Sequence, residues 1–433
     1  MRGVFFFLLL ALPFGSASAE THYVATNSLS PLSPFTNWTQ AAHDIQSALN
    51  ASSDGDEVLV SNGVYTTGGA VTPGYTHTNR VAVTNSIRLQ SVNGPAVTVI
   101  RGQVDPYTGA SGTNAVRAVF LGAGSTLVGF TVTGGATVLE PYDVYAVCGG
   151  GIFSYGATIS NCIVEGNQSW YGGGGIYSQS GATVVDHCII RGNQGGMGGG
   201  LYMSAFGELL RNCVVLNNVG YGGGGVRSTG GLIDSCTIVG NEADSGGGLY
   251  AYIPATTVTV VNSIIYGNTA AISSNCFLWE NTNLVVSFFF SFCCTTPLPP
   301  GSNNIVADPQ FYGQDFHIRD TSPCIDAGTN EAWMGGSVDI DGEPRIRGTN
   351  VDIGADEAWY FAALSITNTS SKVTTSWDTI IDAAFRLQSS ADLFNPTWSN
   401  ASVVVTSLNA RVSIIVTNSV NPLCAYRLMY QGP

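Results

Sequence analysis

Between Gly149 and Asn268 the alternation of apolar and polar positions repeats five times. Each copy opens on a glycine run, as in GGGIYSQSGATVVDHCIIRGN (173–193), and closes on an asparagine or its near relative. The closing residues Asn167, Asn193, Asn218, Asn241 and Asn268 stand 26, 25, 23 and 27 residues apart. Side chains alternate across a strand, so every second residue shares a face. Ile152, Ile176, Leu201, Val226 and Leu249 form an aliphatic column that faces inward, with the mostly small Ser154, Ser178, Met203, Ser228 and Ala251 on the same side. Phe153, Tyr177, Tyr202, Arg227 and Tyr250 then point outward. In a second strand Cys162, Cys188, Cys213, Cys236 and Ser263 form one column, and Val164, Ile190, Val215, Ile238 and Ile265 another on its face. A repeat of this length, built of short extended segments and glycine turns, predicts an all-β parallel solenoid whose coils stack about 4.8 Å apart.

Around this array the pattern loosens. Trp38–Asn50 carries apolar residues at helical spacing and predicts a short amphipathic helix that caps the first coil. Extended segments follow at Glu57–Val60, Ile87–Val92 and Ala118–Phe130. After Trp359 the glycine runs cease, and five short alternating strands predict a small β-sandwich-like module over 361–433. The domains expected are therefore a leader (1–19), a capped solenoid (20–357) and the C-terminal module.

Charge and composition narrow the function classes. The chain holds 29 acids and 15 bases, with Lys372 its single lysine, which disfavours nucleic acid as a partner because counterion release needs a basic surface. Arg2, the apolar run Val4–Phe14 and Ala17-Ser18-Ala19 have the order of a secretory signal, so a secreted or cell-surface protein starting at Glu20 is expected. No later stretch has the roughly 18 apolar residues of a membrane span. With only about 75 residues after the solenoid, a C-terminal outer-membrane barrel is not expected.

The GGG-I/L-Y and Gly-Asn elements resemble right-handed parallel β-helix proteins of the pectin-lyase-like fold, and the repeats of polymorphic outer-membrane proteins. Downstream, Asp308-Pro309-Gln310-Phe311, Asp315-Phe316-His317-Ile318, Ser322-Pro323-Cys324-Ile325-Asp326-Ala327-Gly328, Asp339-Ile340-Asp341-Gly342-Glu343-Pro344-Arg345 and Val351-Asp352-Ile353-Gly354-Ala355-Asp356-Glu357 are similar, in this order, to the end of exported bacterial β-helix repeat proteins of the "choice-of-anchor" type. The resemblance covers residues 20–357 and implies a fold and an exported location, but no single activity. Phe385–Ser390, Trp398 and Tyr426-Arg427-Leu428 resemble the C-terminal β modules of exported bacterial proteins.

Candidate chemistry is sparse. The outward rings Phe153, Tyr177, Tyr202 and Tyr250, with Tyr155 and Tyr252 one column over, are the candidate glycan platform, against the plainer reading of cross-strand aromatic packing. The asparagines bridge successive turns and the cysteines serve as small buried hydrophobes; both columns are structural. Cys276 is expected to pair with Cys293 or Cys294 in an exported chain. Asp186, Arg211 and Asp234 stack as an ion-pair ladder, beside Glu165 and Arg191. Asp339, Asp341, Asp352 and Asp356 are the candidate ligands of Ca²⁺, with Arg345 and Arg347 as competing neutralisers; no other cofactor is expected. The lysine, clustered aspartates and motifs of pectin-cleaving enzymes are missing from the coils, and His187 is the one histidine of the strong repeats. The sequence thus favours a non-catalytic β-helix whose repetitive surface binds a glycan or cell-surface component. The alternatives are a polysaccharide lyase or glycoside hydrolase with its site in loops 136–148 or 270–300, and a protein-binding adhesin.

Overall fold

The computed structural model describes residues 19–140, 143–252, 257–279, 287–312 and 316–358, the side chains of 279, 287 and 288 excepted, and beyond them the backbone of seven strands. The expected leader lies outside the described residues but for Ala19. The chain divides into two compact units, Met1–Glu357 and Ala358–Pro433.

The first unit is a parallel solenoid of three long sheets. An eleven-stranded sheet (sheet 1) runs from Thr21–Val24 to Gly301–Ser302, and a nine-stranded sheet (sheet 2) from Gly63–Tyr65 to Cys294–Thr295. A third, also of nine strands (sheet 3), runs from Ala70–Val71 to Cys276–Trp279; its first pair is antiparallel and the rest parallel. Register joins the repeats: Ile152 faces Ile176, which faces Leu201, then Val226 and Leu249. All five are buried in one core with Cys162, Cys188, Cys213 and Cys236.

The second strand read from the sequence is two strands. Thr158–Ser160 belongs to sheet 1 and Ile163–Glu165 to sheet 2, with a corner at Asn161 between them. Corner residues Asn161, His187, Asn212, Ser235 and Asn262 have φ of +49° to +55°, the left-handed region that asparagine tolerates best among residues with a side chain. The next residue points back inside, which places the thiols in the core. The glycine runs have a steric cause: a Cβ on Gly150 or Gly199 would lie 1.9 or 2.2 Å from a carbonyl oxygen of the following coil.

At the N-terminal end the predicted helix is two short elements, a 3₁₀ turn at Trp38–Gln40 and a helix α1 at Ile45–Ala51. The Asp44 side chain caps α1 by accepting from Ser47 N at 2.9 Å, and Ile45, Ala48 and Leu49 enter the core beside Val24 and Val58. At the other end the chain turns back as a strap. Phe316, Ile340 and Ala355 pack on Ile189, Val214 and Leu216, the outer face of sheet 2. Asn212 Nδ2 donates to Val338 O at 2.9 Å, and Ala355 N to Thr237 Oγ1 at 3.0 Å, fixing the strap to coils more than 100 residues earlier.

The second unit has two antiparallel sheets. Lys372–Asp378 pairs with Ser365–Thr369 and Arg411–Thr417, and Ala384–Ser390 with Ser399–Asn400, Val405–Thr406 and Ala425–Gly432. Among the described residues no helix is long and apolar enough to cross a membrane.

Candidate functional site

The outward column of sheet 3 is a continuous stack, and its first half is covered. Phe120, Phe153, Tyr177 and Tyr202 follow one another with centroids 5.9, 5.3 and 5.2 Å apart. Phe153 is fully buried and Tyr177 is 5% exposed, because a short helix α2 (Val144–Val147) lies over them with Tyr145 stacked 5.0 Å from Phe153. Arg117 holds this lid down. Fully buried, it donates from Nε to Gly149 O (2.9 Å), from Nη1 to Asn79 Oδ1 (2.8 Å) and from Nη2 to the carbonyls of Cys148 (2.8 Å) and Tyr145. Its guanidinium also sits 5.1 Å from the Phe153 ring.

Farther along, Arg227 replaces a ring. It lies 5.2, 4.8 and 5.2 Å from Tyr202, Tyr250 and Tyr252, with Nη1 3.0 Å from Met197 Sδ. Tyr202, Tyr250 and Tyr252 are half-buried, and Tyr155 alone of the six predicted glycan residues is exposed. The stripe points outward as its period requires, but it does not form an open platform. Its rings pack against one another, the lid and Arg227, which leaves a sugar little ring face to stack on.

An open aromatic surface lies one corner away. The spacers between repeat copies, which sequence reasoning passed over, form a sheet of their own: Gln194–Met197, Val219–Gly222, Glu242–Ser245 and Thr269–Ile272 pair in parallel. Gln168 extends this row by a bridge to Gln194. Beside it runs a groove of about 470 Å³, lined among others by Trp170, Tyr221, Gln168, Gln194, Ser169 and Asp244. Trp170 is 48% and Tyr221 63% exposed. Ser169 Oγ is buried in the groove wall without a hydrogen-bond partner. The floor is Gly195, Gly196 and Gly220, which leaves backbone accessible to a ligand. The signal available in the sequence was a tryptophan and a tyrosine at neighbouring spacers, QSWY (168–171) and VGYG (219–222).

The charged candidates separate. Arg211 donates to both oxygens of Asp186 at 3.1 and 3.0 Å, and Arg191 binds Glu165 at 2.7 Å. Asp234 leaves the ladder: it is buried under the strap and accepts from Trp333 Nε1 at 2.8 Å and from Ser235 Oγ at 2.9 Å. Burial raises its pKa.

The four predicted Ca²⁺ ligands do not converge. Asp339 spends Oδ1 on the amides of Asp341 and Glu343 and Oδ2 on that of Glu357, and Asp352 Oδ1 accepts from Asp326 N. Asp341 and Asp356 do approach each other, in the company of His317. Arg345 pairs with Glu357 at 3.3 Å, and Arg347 with Glu343 at 3.3 Å.

Cysteine pairing is also corrected. Cys276, Cys293 and Cys294 are free, as are the four column thiols. Cys293 continues the column instead, donating to Ser291 O at 3.2 Å as Cys213 does to Arg211 O at 3.0 Å. Burial pushes the Cys293 thiol up to about 12 and the Cys236 thiol higher still, which keeps both in the protonated, weakly nucleophilic form at neutral pH.

Comparison with known proteins agrees with the coil geometry. A family model described as a right-handed β-helix region matches residues 123–287, and with the parallel sheets it identifies the first unit as a right-handed parallel β-helix. No curated protein matches the sequence. Among solved structures, pectate lyase Pel9A is 13% identical, with 80% of this chain and 98% of that one covered and a TM-score of 0.49. Pectin methylesterase from carrot is 14% identical, with 71% and 88% covered and a TM-score of 0.38.

Proposed function

We propose that this β-helix is an exported, non-catalytic protein that binds a polysaccharide in the groove between Trp170 and Tyr221. The observation that carries the reading is two exposed rings along one groove, accompanied by the amides of Gln168 and Gln194 and by the Asp244 carboxylate. Sugar rings present C–H faces to aromatic planes and hydroxyls to amides and carboxylates, and this lining offers both. Asp244 is the single carboxyl group among the groove's lining residues, whereas glycoside hydrolysis uses a pair. Export is supported by the leader-like N-terminus, and attachment or spacing is the role assigned to the C-terminal β module.

The test is retention of the chain on immobilised uronic-acid and neutral polysaccharides, with unsaturated product followed by absorbance. Each exposed ring contributes about 0.5–1.5 kcal/mol in stacking, so Trp170→Ala with Tyr221→Ala is expected to weaken retention roughly 5- to 160-fold. The melting temperature should stay unchanged. Undiminished retention by the double variant overturns the groove assignment, and unsaturated product overturns the non-catalytic reading.

A further inference from the structure

The strap gathers an imidazole and two carboxylates from three separate stretches of chain. His317 is set by its own backbone, whose carbonyl accepts from Tyr312 N at 2.9 Å, and by the Phe316 ring stacked 4.2 Å away. Asp341 stands at the tip of a hairpin closed by the Val338–Pro344 bridge, with Oδ2 2.5 Å from His317 Nε2. Asp356 comes from the strap's end, where its Oδ2 accepts from Ile318 N at 3.2 Å. The three side chains offer ligand atoms that all lie within 4.8 Å of one another.

Asp356 singles this cluster out from ordinary surface acids. It is 2% exposed, and its Oδ1 is buried with no hydrogen-bond partner. A buried carboxylate oxygen without a donor is costly, and native structures rarely leave one so. The carboxylates of Asp339 and Asp341 add negative charge beside it. A divalent ion held between His317, Asp341 and Asp356 offsets this negative charge and gives a further partner to a buried carboxyl group that has one amide hydrogen bond, from Ile318 N.

The donor set also selects the ion. Ca²⁺ takes six to eight oxygens, whereas one imidazole nitrogen with two carboxylate oxygens is a set suited to first-row transition ions. A tetrahedral ion with bonds of about 2.0–2.2 Å separates its ligands by roughly 3.4 Å. Reaching that spacing requires the 2.5 Å His317–Asp341 contact to open and the separations of up to 4.8 Å to close.

We propose that His317, Asp341 and Asp356 form a binding site for a divalent transition ion of the Zn²⁺ class, which ties the strap together over the outer face of sheet 2. The full chain, stripped with chelator and dialysed, is loaded with Zn²⁺ or with Ca²⁺. Bound metal is counted by elemental analysis, and unfolding is followed by calorimetry. The expected result is one equivalent of Zn²⁺ and a higher melting temperature, with no such rise from Ca²⁺. Asp341 is exposed, so Asp341→Asn leaves folding intact and should lower Zn²⁺ affinity at least tenfold, as should His317→Ala. His43→Ala, at an exposed histidine elsewhere, should leave it unchanged. The proposal is overturned by the absence of stoichiometric Zn²⁺, by Zn²⁺ retention undiminished in both cluster variants, or by an equal response to Ca²⁺.

Discussion

Asn193 donates from Nδ2 to Oδ1 of Asn218 at 3.0 Å, and its own backbone N–H donates to the same oxygen at 2.9 Å. The pattern repeats from Asn167 to Asn275, and from Asn167 to Asn268 each Nδ2 also reaches a carbonyl of a preceding strand, as Asn218 reaches Ile190 O at 2.9 Å. Every amide in the ladder is buried and both its ends are used. At the buried bend after sheet 2 the asparagine column supplies acceptors for the bend N–H groups, while the bend carbonyls accept from the next spacer, as Asn193 O does from Val219 N at 2.9 Å.

Truncating one rung strands several groups at once. Asn218→Ala leaves Asn193 N without its acceptor, at about 1–3 kcal/mol, and also removes one of the two bonds of Asn193 Nδ2 and the donor to Ile190 O. The variant should therefore unfold about 2–4 kcal/mol more easily. Asn218→Asp should fare no better, because it loses both donors and buries a charge. Urea titration measures this directly, and a loss below about 0.5 kcal/mol for Asn218→Ala would show that the ladder carries no stability.

Arg117 gives the second prediction. Its guanidinium ties the lid at Tyr145 and Cys148 to the Gly149 corner and to Asn79. Arg117→Lys keeps the charge but gives up the planar fork that reaches acceptors on three sides. Both Arg117→Lys and Arg117→Ala should release α2 and uncover Phe153 and Tyr177. The expected readouts are a loss of about 2–4 kcal/mol in stability and faster amide exchange confined to residues 143–149. Unchanged protection of that segment would show that the lid is held by its apolar contacts alone.

How much of this was legible follows from what repeats. The columns through Ile176, Tyr177, Cys188 and Asn193 were readable because alternation has a fixed period and each coil copies the last. The corners were hidden: Asn161, Asn212 and Asn262 hint at left-handed backbone, but His187 and Ser235 at the same position do not. The lid was hidden too, since Arg117 and Val144–Val147 occur once, and only the fold brings a lone arginine under a lone helix. Trp170 and Tyr221 sat in spacers outside the repeated columns; Tyr221's is a strand, and Trp170's joins the row by bridges at Gln168 and Gly172. In the strap, the acidic spacing of 339–356 suggested an all-oxygen set, and the histidine that completes the cluster lies more than 20 residues upstream of Asp341. Sequence shows local periodicity, while convergence of single residues depends on where the chain turns back.

Glu208 yields the last prediction, in pH. It occupies the inward position that Thr183 holds one coil earlier, since the following residues Val184 and Leu209 are register partners, and it is 2% exposed. Burial pushes its carboxyl up to about 8 from 4.5, and neither carboxylate oxygen has a hydrogen-bond partner among the described residues. The folded state therefore keeps a proton that the unfolded chain releases above pH 4.5. By linkage this contribution is fully present below pH 4.5 and declines until the folded carboxyl ionises near pH 8, at up to about 1.4 kcal/mol per pH unit. Glutamine mimics the protonated acid, so Glu208→Gln should match wild type near pH 4.5 and gain on it steadily toward pH 8. Urea midpoints of both proteins at pH 5, 6.5 and 8 test this, and a difference that stays constant across the series would mean that Glu208 does not titrate in that window.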